Sequence, residues 1–455
     1  MGATAVDLHR EVEFKFRVAA DFDLTSILNS FFAGELAATP DQPRTMSATY
    51  FDTPSAALLR WGITMRNRTG GTDAGWHLKL PTFGEKATKG ATKRIELHAS
   101  GDMDHPPAQF MSVIGILLRD SDVTPIARVD TERKPFYIVR DQEHIIEVVD
   151  DQVAVFQGED KVDSFREIEV ELLNPQAMDI ALRLSKDLLA AGAAPSSVSK
   201  AAAAFGPVVT QQPDVPLLPK PKKSALPYEI VRWAIAQQAL AVIQAELSSH
   251  LHGSTSDLLI QLQRLAALLQ SLSNFLDPRE SAEFLDEITW LISEFSSTDQ
   301  LAQEHLLASD AVRYIEDPLD RHEAQLVIDS YFERKALGAQ SSARAAQRSD
   351  RYLYLFSDLM DFARVPPVSE SAFQIEKLWR NIDPKRKYIA AEILAPVFPK
   401  KTAKILKNRT SKSSNEVASV HELLRRIVSD PATTVTGAFA LGTAVGSIQV
   451  GDRDG

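Results

Sequence analysis

The sequence predicts an α+β chain, with antiparallel strands through its first half and only helices through its second. Three observations predict it. Residues 10 to 175 alternate polar and apolar side chains in short runs, residues 207 to 227 are crowded with Pro and Lys, and beyond Tyr228 the apolar residues recur at helical spacing. Alternation with period two marks a half-buried strand, whereas spacings of three and four mark a helix packed on one face.

At 455 residues the chain exceeds one ordinary core, so two domains are expected. The boundaries read as a strand-rich domain over 1–207, a linker over 208–227, a helical domain over 228–447 and a tail over 448–455. No apolar run is long enough to cross a bilayer, which argues against a membrane protein. Met1 to Arg10 has neither the basic nor the apolar region of a secretory signal, so a cytoplasmic location is expected. The chain has no cysteine, which removes disulfides, thiolate metal sites and cysteine nucleophiles together. Carboxylates and histidines are left as candidate metal ligands. A net charge of -11 argues against a nucleic-acid partner.

In chain order, Glu11 to Val18, Ile63 to Arg68, Trp76 to Leu80, Lys93 to Leu97, Ile145 to Val149 and Arg166 to Leu172 read as strands, with Gly, Pro and Asp between them. Pro175 to Ala191 reads as a helix that closes this region. Prolines at 207, 213, 216, 219, 221 and 227, interleaved with Lys220, Lys222 and Lys223, make a stiff, exposed linker. Ile230, Ala234, Ala241 and Leu247 then fall on or near one helix face, and Asp257 to Leu276 repeats the texture.

The chemistry lies in the strands. Glu11, Glu13 and Lys15 share one strand face, while Val12, Phe14 and Phe16 share the other. Alone, Glu-x-Glu-x-Lys is weak, since chance produces it in roughly one chain in ten of this length. Other strands repeat the one-sided charge: Arg66 and Arg68, Lys79, Arg94 and Glu96, and Glu167, Glu169 and Glu171. On an open surface the last three would repel one another with little gain. Facing inward around a closed barrel, acids can share divalent cations while bases hold a polyanion. Ligands that are all oxygen favour a hard cation, Mg²⁺ or Mn²⁺.

Simpler readings apply to other residues. His77 reads as a packed or exposed strand histidine, and Asp52 in Phe51-Asp52-Thr53-Pro54 as a turn residue bonding nearby backbone. Lys86, Lys89 and Lys93 read as a solvated loop face, and Gly34 and Gly62 as turn residues.

Residues 9 to about 205 resemble the CYTH family, the triphosphate tunnel metalloenzymes, in motif order and spacing. The matching residues are Glu11-x-Glu13-x-Lys15, Phe51-Asp52-Thr53-Pro54, Leu59-Arg60, Arg66-x-Arg68, Trp76-x-Leu78-Lys79 and Arg94-x-Glu96. Arg133, Ile146-Glu147 with Asp150, Glu167-x-Glu169-x-Glu171 and Ser199-Lys200 complete the series. The resemblance implies an eight-stranded antiparallel β-barrel tunnel with flanking helices. It implies metal ligands at Glu11, Glu13, Glu169 and Glu171, with Glu167 and Asp150 as further candidates. Lys15, Arg66, Arg68, Lys79, Arg94, Arg133 and Lys200 would contact phosphate oxygens, with Lys15 and Glu169 in catalytic roles. The implied activity is hydrolysis of inorganic triphosphate; adenylate cyclase and thiamine triphosphatase share the tunnel, and a non-catalytic polyphosphate-binding scaffold is the alternative from another class.

The helical half resembles a CHAD domain, a polyphosphate-binding partner of CYTH domains. Of that family's basic helix, Ser256 to Leu268 keeps the apolar stripe and only Arg264. His421 with Arg425 and Arg426 is a second remnant, and Lys385, Arg386, Lys387, Lys400, Lys401, Lys404 and Lys407 read as a solvated charge run. From Ala225 to Gly455 there are 25 Lys and Arg against 30 Asp and Glu, a net of -5. The expected role is support of the barrel, or homo-oligomer formation through apolar helix faces.

Overall fold

The structure, a computed structural model, describes residues 6–31, 37–82, 90–196, 200–205, 212–222, 224–368, 387–398, 402–403, 423–424, 426–430, 432–433 and 441. Lys86, Lys89, Gly34, Ser199, His421 and Arg425 lie outside these residues, as does the lysine-rich run apart from Lys387. Chain contacts divide it into two compact units, Met1–Asp214 and Val215–Gly455.

In the first unit, eight strands close into an antiparallel barrel. They are β1 (Val6–Val18), β3 (Arg44–Asp52), β4 (Thr64–Thr69), β5 (Gly75–Pro81), β6 (Thr92–Ala99), β7 (Thr124–Arg140), β8 (Glu143–Gln157) and β9 (Asp160–Leu172). Their order around the wall is β1-β6-β5-β4-β3-β7-β8-β9, and β9 pairs back onto β1. Short strands β2 (Ala37–Pro40) and β10 (Ala194–Pro195) add to β7 and β1. Closure leaves these eight strands no free edge within the ring.

Period-two alternation decides which side of the wall each residue takes. Phe14, Phe16, Ile146, Val148, Ile168 and Val170 form an outer core with α1 (Leu24–Phe31) and α4 (Met178–Ala190), through Leu24, Leu28, Ile180, Leu184 and Leu188. Their neighbours Glu13, Lys15, Glu167 and Glu169 are thereby turned inward. Asp52 is 2% exposed and accepts from the backbone N–H groups of Thr53, Leu58 and Leu59, fastening α2 (Ala57–Arg60) to the end of β3. That is the backbone role its turn context suggests. Gly62, with φ at 73°, makes the tight exit from α2 into β4, and α3 (Ala108–Leu118) lies between β6 and β7 in the chain.

A short helix, α5 (Lys200–Phe205), packs on wall residues of the inner face: Ala201 is buried with Ala48, Tyr50, Ala127, Val129, Val153 and Val155. After it, Asp214 pairs with Arg60 at 3.1 Å.

The second unit is helical, with α6 (Pro227–His252), α7 (Ser256–Ser271), α8 (Pro278–Ala311), α9 (Pro318–Gln347) and α10 (Asp350–Arg364) as its long members. Asp277 and Asp317 cap α8 and α9, each accepting two backbone N–H bonds just ahead of a proline at the first helical position. Ser349 caps α10 through the Tyr352 N–H. Among the described residues no helix is long and apolar enough to cross a membrane.

Candidate active site

The barrel interior is built by register. Glu13 stands opposite Glu171, Lys15 opposite Glu169 and Arg17 opposite Glu167, so β1 and β9 face each other with charged rows. Residues directly opposite in antiparallel strands share a face. The same rule extends the interior across β8, where Glu147, Val149 and Asp151 oppose Glu171, Glu169 and Glu167, and to β7, where Arg133 opposes Asp151. On the other arc, Arg66 opposes Tyr50 and His77, Lys79 opposes Glu96, and Glu11 opposes Arg94.

Burial is deep. Glu11, Glu13, Asp151 and Glu167 are each 3% exposed or less, a cost that ionised carboxylates bear only when paired. Asp151, Glu167 and Glu169 converge, each offering an oxygen within 4.8 Å of the others. Arg133 donates Nε and Nη2 to Asp151 at 2.8 and 2.7 Å, and Nη2 also reaches Glu169 at 3.1 Å. Lys15 Nζ lies 2.9 Å from Glu169 and 3.3 Å from Glu13. Lys200 Nζ lies 2.8 Å from Asp151, 2.8 Å from Glu167 and 3.0 Å from Glu169. Burial alone would raise Glu169, but Lys15, Lys200 and Arg133 hold it well below the usual carboxylate range. Glu13 is raised by burial, with Lys15 only partly offsetting it. Glu171 is pushed up to about 8 by burial and by Glu11 and Glu13.

A second cluster sits on β5 and β6. Lys79 Nζ donates to both oxygens of Glu11 at 2.8 and 2.9 Å. Glu96 takes His77 Nδ1 at 2.7 Å and His9 Nε2 at 3.2 Å, with Lys79 at 3.5 Å. His77 is packed, as its sequence context suggests, yet it lies on the tunnel face. Burial, with Arg66 and Arg68 nearby, pushes its imidazole down to about 3 against the opposing bond to Glu96.

The guanidiniums of β4 are the least compensated. Among the described residues Arg66 has no ion pair, only a hydrogen bond to the Tyr50 hydroxyl at 3.3 Å. Arg68 meets the carboxylate of Asp73, a loop residue whose side chain is 52% exposed. Burial and the neighbouring Arg66 and Arg133 push Arg68 down to about 9. Arg94 is half-buried on the same inner face and has no ion-pair partner among the described residues.

Asp150 is not where the sequence reading put it. Counting by two from Glu147 brings Val149 and Asp151 inside, so Asp150 points outward, where Arg166 Nε and Nη2 grip it at 2.8 Å each. Asp151, absent from the expected ligands, takes the interior position, and strict alternation from Glu147 would have found it. Glu96 and His77 were likewise missed as parts of one buried cluster, because their meeting depends on the pairing of β5 with β6.

With this geometry in view, residues 9–201 match the CYTH domain family, from His9 on β1 to Ala201 on α5. "Uncharacterized protein MT2285" of Mycobacterium tuberculosis (strain CDC 1551 / Oshkosh) is 32% identical over 381 residues, which cover 77% of this chain and 69% of that protein. "Uncharacterized protein Rv2226" of strain ATCC 25618 / H37Rv matches with the same identity and coverage. Among solved structures, PptA from Streptomyces chartreusis aligns with 51% of this chain and 97% of its own at 12% identity and a TM-score of 0.38. "Putative adenylyl cyclase HpAC1 from Hippeastrum reveals a dominant triphophatase activity" aligns with 44% of this chain and 98% of its own, at 18% identity and a TM-score of 0.28. At such scores these two likenesses bear on neither activity nor substrate here. The chain belongs to one family with the mycobacterial proteins MT2285 and Rv2226, and its barrel, residues 9–201, is a CYTH domain.

Proposed function

We propose that the barrel hydrolyses inorganic triphosphate to pyrophosphate and phosphate, using a bound divalent cation, Mg²⁺ or Mn²⁺. The observation that carries this reading is that the acids of one wall are paired with Lys15, Lys200 and Arg133, whereas guanidiniums of another are left open to an anion. Asp151, Glu167 and Glu169 crowd one wall, while Arg66 and Arg68 on β4 meet no carboxylate of the barrel wall at ion-pairing distance among the described residues. CYTH-family members are typically enzymes acting on triphosphates, which gives this polarity a natural substrate class.

The donor set fits a hard cation. It is all carboxylate oxygen, and Glu167 is fully buried with neither oxygen receiving a well-directed hydrogen bond. Glu11, Glu13, Glu167, Glu169 and Glu171, with Asp151 in place of Asp150, are the residues that would hold it. When bound, the cation would neutralise phosphate charge and acidify a water molecule. Arg66, Arg68, Arg94 and Arg133, with Lys15, Lys79 and Lys200, would grip the phosphate oxygens, and guanidinium forks suit paired oxygens on one phosphate. Phosphoryl transfer passes through a loose transition state whose negative charge moves toward the leaving pyrophosphate, so fixed guanidiniums there lower the barrier. Lys15 keeps Glu169 ionised at the reacting end, where that carboxylate can help hold the cation and orient the attacking water.

Bare triphosphate is favoured over a nucleotide because the apolar patch of the inner wall is covered by α5 and the rest carries Lys, Arg, Asp and Glu. We read the helical unit as a divergent CHAD-like partner without a polyphosphate groove. Arg264, the base its helix retains, is already taken by Glu392 at 2.7 Å.

The test is phosphate release from triphosphate, longer polyphosphate, ATP and thiamine triphosphate, with Mg²⁺ and Mn²⁺ in turn. Triphosphate should have the highest kcat/KM. A higher value for ATP, or cyclic AMP as product, would replace this reading with a cyclase.

A further inference from the structure

The ammonium of Lys200 stands among Asp151 Oδ2, Glu167 Oε1 and Glu169 Oε1, 2.8 to 3.0 Å from each. Among the described residues these three side chains are also a group able to hold a metal ion. A divalent ion would sit about 2.0–2.6 Å from such oxygens, so it and the ammonium would occupy nearly one point in space. Two cations sharing those oxygens would also repel strongly in a buried site.

The parts of this cluster differ in how they are held. Asp151 and the two glutamates lie in β8 and β9, paired along nearly their whole length, and Arg133 lies in β7 beside them. Lys200 instead begins α5, a six-residue helix with the sequence KAAAAF that belongs to no strand of the wall. Ala201 and Ala202 each bury a single methyl group, and the larger Phe205 packs only at the far end of the helix. The helix therefore interlocks little with Ala48, Val129 and Val153, and much of its hold at the start comes from the three contacts of Lys200. The Asp214–Arg60 pair tethers the chain on the far side of α5, which limits any displacement to a short strap.

Resting on the proposed metal-dependent reading of the barrel, we infer that Lys200 and a divalent cation are alternative occupants of the Asp151–Glu167–Glu169 cluster, so that cation binding expels Lys200 and loosens the start of α5. Lys200 thus fills the cation site of the metal-free barrel. Expelled, its ammonium becomes available to the incoming polyanion. The wall stays fixed while the strap moves, because shifting the backbone at any of the three acids would break strand pairing.

The experiment uses the full chain and Mn²⁺ without triphosphate. Amide hydrogen exchange across 200–205 is measured in the unmodified protein with and without saturating Mn²⁺, and Mn²⁺ affinity is measured in the unmodified protein, Lys200→Gln and Lys200→Met. Faster exchange in α5 on Mn²⁺ binding, and at least tenfold tighter Mn²⁺ binding by both variants, are expected. Slower or unchanged exchange in α5 while Mn²⁺ binds would overturn the inference and leave the metal-dependent reading intact. Equal Mn²⁺ affinity in the variants would overturn it too. Failure of the unmodified protein and both variants to bind Mn²⁺ would instead remove the metal centre on which it rests. The exchange measurement needs no substitution, so it stands even if a variant fails to fold.

Discussion

The two units differ in what fills their interiors. In the helical unit Leu258, Leu262, Leu268, Leu291 and Phe356 are 1% exposed or less, and its interior is mostly the apolar core expected of packed amphipathic helices, with a buried carboxylate, Glu246, held by His250 and Tyr352. In the barrel Phe14, Phe16, Ile168 and Val170 face outward onto α1 and α4, and the enclosed space holds Glu11, Glu13, Asp151, Glu167, Lys200 and Arg68 beside the apolar patch that α5 covers. Buried ions contribute little net stability even when paired, because desolvation offsets most of the attraction. The barrel interior is therefore poorly suited to holding the fold and well suited to holding a charged ligand. The helical interior has the reverse character.

That contrast breaks first at Glu169. Glu169→Gln keeps the shape and removes a ligand charge, and should lower triphosphate turnover about 100-fold or more while the circular dichroism spectrum is retained. Turnover near that of the unmodified protein, or full activity in excess chelator, would show that the acids are not functional. The guanidinium wall should matter next. Arg68→Gln removes a charge-assisted contact of about 1.5–3 kcal/mol, so kcat/KM for triphosphate should fall roughly ten- to 100-fold. An unchanged kcat/KM would mean that the anion binds elsewhere.

Proton linkage gives a smaller effect. Glu171 is raised to about 8 from an ordinary 4.5. The folded barrel thus holds a proton there that the unfolded chain releases between those values. Its stabilisation is full below pH 4.5 and is lost as pH rises through 8. Glu13 and Glu167, also raised, share the sign. His77, pushed down to about 3, acts oppositely but only below its ordinary 6.5. Between pH 6.5 and 8.5 the Tm of the metal-free protein should therefore fall, and Glu171→Gln should flatten the slope. A Tm that rises across this window would contradict the buried, protonated state of Glu171.

The smallest effect on turnover belongs to the helical unit. Phe356→Ala should cost its fold about 3–5 kcal/mol, seen as a lower denaturant midpoint, while turnover by folded molecules stays within about twofold. A large loss of turnover at full folding would tie the helical core to catalysis and dissolve the contrast. Arg264→Gln should leave long-chain polyphosphate binding unchanged. A marked weakening would restore the polyphosphate groove that the Arg264–Glu392 pair argues against.

Much of this was legible in one dimension. Alternation in Glu11 to Phe16 and in Arg166 to Leu172 marked strands with one charged and one apolar face, since a pleated strand sends neighbours to opposite sides. The change of period after the proline-rich segment marked the helical half. Sequence alone determined which residues share a face. It could not determine which face is inside, because a charged row is stable against water as well as inside a closed ring.

Closure decided that. Pairing of β9 with β1 turns the acidic rows inward, and burial by α1 and α4 holds the apolar rows out. Tertiary structure also chose between Asp150 and Asp151, adjacent residues of one type whose roles differ only by the parity of the pleat. It brought together Glu96 and His77, 19 residues apart, and Lys200 and Glu167, 33 apart, through strand pairing and the return of α5 onto the wall. Local pattern fixes what lies on each side of an element, whereas meetings over such separations depend on long-range register, which no local pattern encodes.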